Sequence, residues 1–193
     1  MTKKVIVIGA GFAGLSVATN LADKGYQVII LEKNSIPGGR ARKFEAEGFI
    51  FDMGPSWYWM PDVFENYFKK FGKKISDYYQ LQRLDPSYRV FFGPDDHLDL
   101  PAERNELYQT FENIESGSSK KLAEFLKQAG YKYQVGINQL VYKPGRSLLE
   151  FASLKLLYDM IRLDLFTSIS KHVAKFFRHP KLIKLMEFPV LFL

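Results

Sequence analysis

Gly9, Gly11 and Gly14 fall in the order G-x-G-x-x-G within KKVIVIGAGFAGLSVATNLADKGYQVIILEK, and Glu32 stands near the end of the same stretch. The chemistry open to such a set is the binding of a dinucleotide. Gly9 permits a tight turn, Gly11 lets backbone N–H groups approach a pyrophosphate, and Gly14 lets a helix pack close to a strand. A helix opening at Phe12 or Ala13 adds its dipole and its unpaired N–H groups to the same anion. Glu32 lies 18 residues beyond Gly14, where a carboxylate can accept both hydroxyls of an adenosine ribose. The same charge repels a 2′-phosphate, so NADP is disfavoured while NAD and FAD stay open.

Two further strings bear on that choice. Gly38-Gly39-Arg40-Ala41 offers a second close backbone approach, with a guanidinium for a pyrophosphate or a flavin edge. Alone it reads more readily as an ordinary turn with a solvated arginine. A simple NAD site has no need of a second cradle, whereas an extended FAD does. In FDMGPS, Phe51 to Ser56, Gly54-Pro55 is a rigid bend whose neighbouring N–H groups can face an isoalloxazine; alone, it too is a plain turn.

Other chemistries find little support. With no cysteine there is no disulfide, thiolate metal site or cysteine nucleophile. His97, His172 and His179 have no metal-ligand spacing. His97 reads as a turn residue, Asp52 as a structural turn, and Ser56 has no visible His–Asp partners. No catalytic residue is assigned, and no metal site.

The elements that must position these groups follow from hydrophobic pattern. Val5–Ile8 and Val28–Leu31 are β-branched runs of the kind buried on both faces of a sheet. Between them a helical pattern runs to about Lys24, with Gly25 as its stop. Strand, helix, strand over so short a span is a βαβ unit with parallel strands. Short strands are expected at Ala41–Phe44 and Phe49–Asp52, and a helix from Pro61 to about Phe71. Tyr88–Phe92 continues through a turn at Pro94-Asp95-Asp96 into DDHLDLP as a hairpin. Helices then dominate, at Arg104–Ile114, Ser118–Val141 and Leu148–Phe177. A composition shift near Pro55–Pro61 marks a boundary between a nucleotide-binding part, 1–60, and an aromatic-rich helical part, 61–193. The terminal MEFPVLFL is apolar with no polar cap, and the chain reads as truncated.

The chain of 193 residues carries 27 Lys+Arg against 21 Asp+Glu, a formal net charge of +6. That excess permits attraction to phosphate or anionic lipid without choosing between them, and no nucleic-acid motif accompanies it. The apolar start is broken by glycines and so is not a signal peptide. No stretch is uniformly apolar for the roughly 20 residues of a membrane span. The segment Leu148–Phe177, with FFRHPKLIK, reads either as a core helix with a solvated basic face or as an amphipathic stretch lying on an anionic bilayer.

The string GAGFAGLSVATNLADKGYQVIILEKNSIPGGRARKFEAEGFIFDMGPS resembles the N-terminal FAD-binding segment of the phytoene desaturase family of the flavin amine-oxidase-like superfamily. GGRA followed by GFIFDMGPS is its specific part, and LDPSYRVFF looks like the first substrate-domain strand. The resemblance implies an α/β fold: a Rossmann-like FAD-binding βαβ domain, then part of a substrate domain with short strands and a helical, membrane-facing subdomain. It implies FAD contacts at Gly9, Gly11, Phe12, Ala13, Gly14, Glu32, Lys33, Gly39, Arg40, Gly54, Pro55 and Ser56. It further implies desaturation of a lipophilic isoprenoid such as phytoene, and a cytoplasmic protein peripheral on the inner face of the membrane. Family members are longer and return to the nucleotide domain in a C-terminal segment with no counterpart here. Another flavin oxidase of the superfamily, or a non-catalytic nucleotide- or membrane-binding piece, is the alternative. The oligomeric state has no sequence signal.

Overall fold

The computed structural model describes residues 3–54, 57–147 and 167–192, which fall into two compact units, Met1–Leu81 and Gln82–Leu193. The division comes after Leu81 and not at the composition shift near Pro55–Pro61. The helix that follows that shift packs on the first unit: the Phe64 ring meets Phe12 at 5.9 Å, and Tyr67 shares a hydrogen bond with Thr19. A change of composition marks a change of exposure; it does not show which elements share contacts.

In the first unit, β1 (Lys4–Ile8) and β2 (Gln27–Leu31) pair in parallel, Lys4 opposite Gln27 and Ile8 opposite Leu31. Helix α1 (Phe12–Asp23) joins them. It ends as a glycine predicts: Gly25 sits at φ +81, its N–H donates to Ala22 O and that of Tyr26 to Leu21 O, satisfying the last carbonyls. The strands are not buried on both faces. Val5, Val7 and Val28 are half-buried, whereas Ile6 is 60 % and Ile8 87 % exposed. Among the described residues this sheet has two strands only, so one helix is all that covers it.

A 3-10 turn at Gly39–Ala41 leads into the antiparallel hairpin β3 (Arg42–Ala46) and β4 (Phe49–Met53). Asp52 therefore lies in a strand opposite Lys43, not in a turn. Helix α2 (Pro61–Lys70) starts on a proline, whose missing N–H costs nothing at that position. Its Phe64 and Phe68 belong to a run of touching rings, Phe12–Phe64–Tyr58–Tyr79–Phe68, with centroids 4.8 to 6.4 Å apart.

The second unit holds the larger core. Strands β5 (Tyr88–Gly93) and β6 (Asp96–Leu100) form a hairpin around Pro94-Asp95, locked across by an Arg89–Asp99 fork at 2.6 and 2.8 Å. His97 lies in β6 opposite Phe91, so it is a strand residue and not a turn residue. Helices α3 (Arg104–Ile114), α4 (Ser118–Val135), α5 (Ile169–Val173) and α6 (Pro180–Glu187) follow. The pattern expected to stay helical to Val141 changes at Gly136 into a π-helical turn, Gly136–Leu140. Of the helix expected at Leu148–Phe177, residues 148–166 lie outside the described residues. Within the described part, Ser168 has extended backbone and its hydroxyl caps a helix that starts at Ile169 and ends at Val173. Leu100, Phe111, Leu122, Val173, Phe177, Leu182 and Leu185 make the core, with Phe111 edge-on to Phe177 at 5.6 Å.

Two glutamates at the C-terminal end of α3 bind the starts of later helices. Glu112 accepts the N–H groups of Gly117 and Ser119, capping α4. Glu115 accepts those of Arg178 and His179 at 2.9 and 2.8 Å, just ahead of α6, and pairs with Lys121 at 2.9 Å. Burial raises the Glu115 carboxyl, but the His179 and Arg178 N–H groups and Lys121 outweigh it and hold it down at about 2.

Candidate functional site

The glycine-rich loop is fixed to β2 at its origin. Gly9 turns at φ +96 and donates its N–H to Leu31 O at 2.7 Å, which ties the end of β1 to the end of β2. The next residue is held on both sides. Ala10, 4 % exposed, donates to Glu32 Oε2 at 2.6 Å, and its carbonyl accepts the N–H of Gly38 at 2.8 Å. One residue thus links all three segments: the loop, the acid after β2, and the second glycine pair.

Gly11 occupies the N-cap of α1 in extended conformation and brings no side chain to cap the helix. The first bond back into the helix is Leu15 N–H to Gly11 O at 2.9 Å, so the N–H groups of Phe12, Ala13 and Gly14 have no intrahelical acceptor. The first turn contains no acidic residue. That is the state in which a helix start receives an anion. Gly14 lies directly on the loop: a Cβ there would overlap the carbonyl oxygen of Gly9 and reach 3.6 Å from Val7 Cγ1.

The two glycine motifs meet. A Cβ on Gly39 would stand 3.2 Å from Gly11 Cα, and Gly39 itself is at φ +61. The third motif joins them from the other side, since a Cβ on Gly54 would overlap the carbonyl oxygen of Arg40. Gly9, Gly11, Phe12, Ala13, Gly14, Glu32, Gly39, the Arg40 backbone and Gly54 are therefore assembled in one place. Lys33 and the Arg40 side chain are exposed at its edge. Pro55 and Ser56 lie outside the described residues.

Glu32 differs from its sequence reading. Its Oε1 accepts both the N–H and the Nδ2–H of Asn34 at 2.9 Å, and Oε2 accepts Ala10 N–H. These donors, Ala10 first, lower its carboxyl below the usual range and keep it ionised. A carboxylate has roughly four lone-pair positions; three are used, so one remains on Oε2 for a ligand hydroxyl, not two. Asn34 and Ala10 were not singled out in the sequence. The available signal was an asparagine two residues after an acid at a strand end, a pairing that makes side-chain turns.

The histidines have structural roles. His172 is buried against Phe125 and Phe176 at 5.5 and 5.4 Å, and His179 caps α6 by accepting Lys181 N–H at Nδ1.

Comparison with known proteins agrees with this geometry. Residues 7–72 match the family described as NAD(P)-binding Rossmann-like domain. Over 190 residues, 98 % of the chain, it is 44 % identical to carotenoid 3,4-desaturase of Haloarcula japonica. Over the same length it is 34 % identical to the 4,4′-diapophytoene desaturase (4,4′-diaponeurosporene-forming) of Staphylococcus aureus strain Newman. The match covers 38 % of each relative, so the chain spans well under half the length of these proteins. The chain carries a Rossmann-like dinucleotide-binding domain and is a relative of the carotenoid desaturases, matched over nearly all of its own length and little more than a third of theirs.

Proposed function

We propose that the chain is the cofactor-binding portion of an FAD-dependent carotenoid desaturase. The observation that carries this reading is the double cradle, in which Gly39 closes on Gly11 while the backbone of Ala10 is held between Glu32 and Gly38. A single glycine loop suffices for a compact nucleotide. A second loop folded against the first fits the longer reach of FAD, and the residues present suit it: bare glycine backbone, an uncapped helix start and one lone-pair position on Glu32 Oε2 for a ribose hydroxyl. When bound, the flavin supplies the two-electron redox chemistry. The α1 N–H groups would hold the pyrophosphate, and Glu32 would fix the ribose and repel a 2′-phosphate.

The substrate class follows from the relatives' names: a long isoprenoid losing two hydrogens from adjacent carbons. Peripheral attachment to the inner face of the membrane belongs to the same proposal. It is supported by the basic excess and by Lys171, Lys175, Arg178 and Lys184, all exposed in the second unit. Among the described residues no helix is long and apolar enough to cross a membrane.

The test is the absorption spectrum of the chain after incubation with FAD and desalting. A flavin band should survive in the parent chain and vanish in Gly11→Asp, which puts a carboxylate against the pyrophosphate, and in Glu32→Arg. Loss of flavin by the parent chain, or its retention by both variants, refutes the FAD assignment. A second reading, a plain NAD(P) site, rests on the matched domain's description; NADH binding without FAD binding would select it.

A further inference from the structure

We infer that Trp57, Tyr58, Trp59 and Met60 form the wall on which an apolar polyene lies beside the cofactor cradle, an assignment that rests on the desaturase reading above. The four side chains are 39 to 46 % exposed, the largest aromatic group in consecutive positions of the chain, and none carries a charge. Water gains nothing from such a surface, and a ligand without polar groups can be recognised only by one like it.

Its position ties it to the cofactor. Gly54, which abuts the Arg40 carbonyl inside the cradle, precedes Trp57 by three residues. From the other side, the Tyr58 ring packs on Phe64 at 4.8 Å, and Phe64 packs on Phe12, the first residue of α1, at 5.9 Å. Tyr58 also shares a hydroxyl hydrogen bond with Tyr79 at 2.5 Å, which occupies its one polar atom and leaves the exposed part of its ring as apolar surface. Trp57 and Trp59 have ring centroids 6.5 Å apart and tilted. A flat conjugated chain can stack on such rings with sequential π contacts. An anionic lipid surface fits the patch less well, because Asp62 and Glu65 are exposed immediately after it and would meet like charge.

The chain contains two tryptophans, and both are in this segment, so tryptophan emission, excited where tyrosine does not absorb, reports on the wall alone. The experiment titrates the FAD-incubated chain with a conjugated polyene absorbing at tryptophan emission wavelengths, delivered from a cyclodextrin complex so that no membrane is present. Saturable loss of most of the emission is expected, reversed by an excess of a saturated isoprenoid of equal length. In Trp57→Ala and Trp59→Ala, each read through the remaining tryptophan, half-saturation should rise about tenfold. Trp57→Phe and Trp59→Phe should bind nearly as the parent, which separates loss of the wall from loss of the fold. If FAD is retained but the polyene does not quench, the inference falls and the desaturase reading stands. If FAD is not retained, that reading falls first. A parallel titration with vesicles of anionic lipid free of polyene identifies the other occupant: a blue shift there, without polyene quenching, overturns the assignment in favour of a membrane surface.

Discussion

Gly14→Ala is a one-carbon change with a calculable consequence. The added Cβ would overlap the Gly9 carbonyl oxygen, which is backbone and cannot rotate away. Relief requires α1 to retreat from β1 by roughly an ångström, since carbon and oxygen repel steeply inside ordinary contact. Overpacking of this kind costs about 3 kcal/mol where the obstacle is rigid. Gly25→Ala is the matched control. Its φ of +81 disfavours alanine, but nothing lies within 4 Å of the new carbon, so only the left-handed backbone is penalised, by about 1–2 kcal/mol. The two variants differ more sharply in binding. Retreat of α1 carries the Phe12, Ala13 and Gly14 N–H groups away from the anion, and a hydrogen bond to a charged group is worth about 1.5–3 kcal/mol. Gly14→Ala should therefore weaken FAD by about ten- to a hundredfold, while Gly25→Ala leaves it unchanged. Urea unfolding followed by tryptophan emission reads the unit that contains both substitutions, and flavin titration reads the site. Equal FAD affinity in the two variants would refute the account of Gly14 as the contact that seats the helix start.

Two expectations concern the second unit. The Glu115 carboxyl, held at about 2 against an ordinary 4.5, contributes stability that is complete above 4.5 and is lost as pH falls from there through about 2. Glu115→Gln should thus cost more at pH 7 than at pH 3 in denaturant unfolding followed by circular dichroism; an equal cost at both would show that the carboxylate's charge is irrelevant to α6. Phe111, 2 % exposed at the centre of the core, should cost about 3–5 kcal/mol on truncation to alanine, and a cost below 1 kcal/mol in the same assay would mean the core is not packed as described.

The parts of this fold that the sequence revealed are those governed by neighbours along the chain. The βαβ unit, its glycine stop at Gly25 and the β5–β6 hairpin all follow from period, breaker and turn residues, and they occur where those signals lie. What escaped reading depends on neighbours in space. Glycine spacing gave no hint that Gly39 presses on Gly11, or Gly54 on Arg40; each string alone passes for a turn. Glu32 was read as a ligand with two free oxygens because Ala10 and Asn34 become its donors only after the loop has folded. The helix start at Ser168 was hidden by an amphipathic pattern that continues across it, since a serine cap and a serine on a helix face look alike in sequence. The unit boundary at Leu81 was missed for the same reason as the cradle: aromatic composition changed near Pro55, yet Phe64 and Tyr67 bind backward, to α1.

The bare isoleucine face of the small parallel sheet has a consequence for the life of the chain rather than for its chemistry. Ile6, Ile8, Ile29 and Leu31 stand in water on strands whose outer edges are unpaired among the described residues. Such a surface templates the addition of further strands from any molecule that offers them. A surface of this kind is also what holdase chaperones bind and quality-control proteases reach, so a strand-bearing segment that pairs with either outer edge should lengthen the lifetime of the chain.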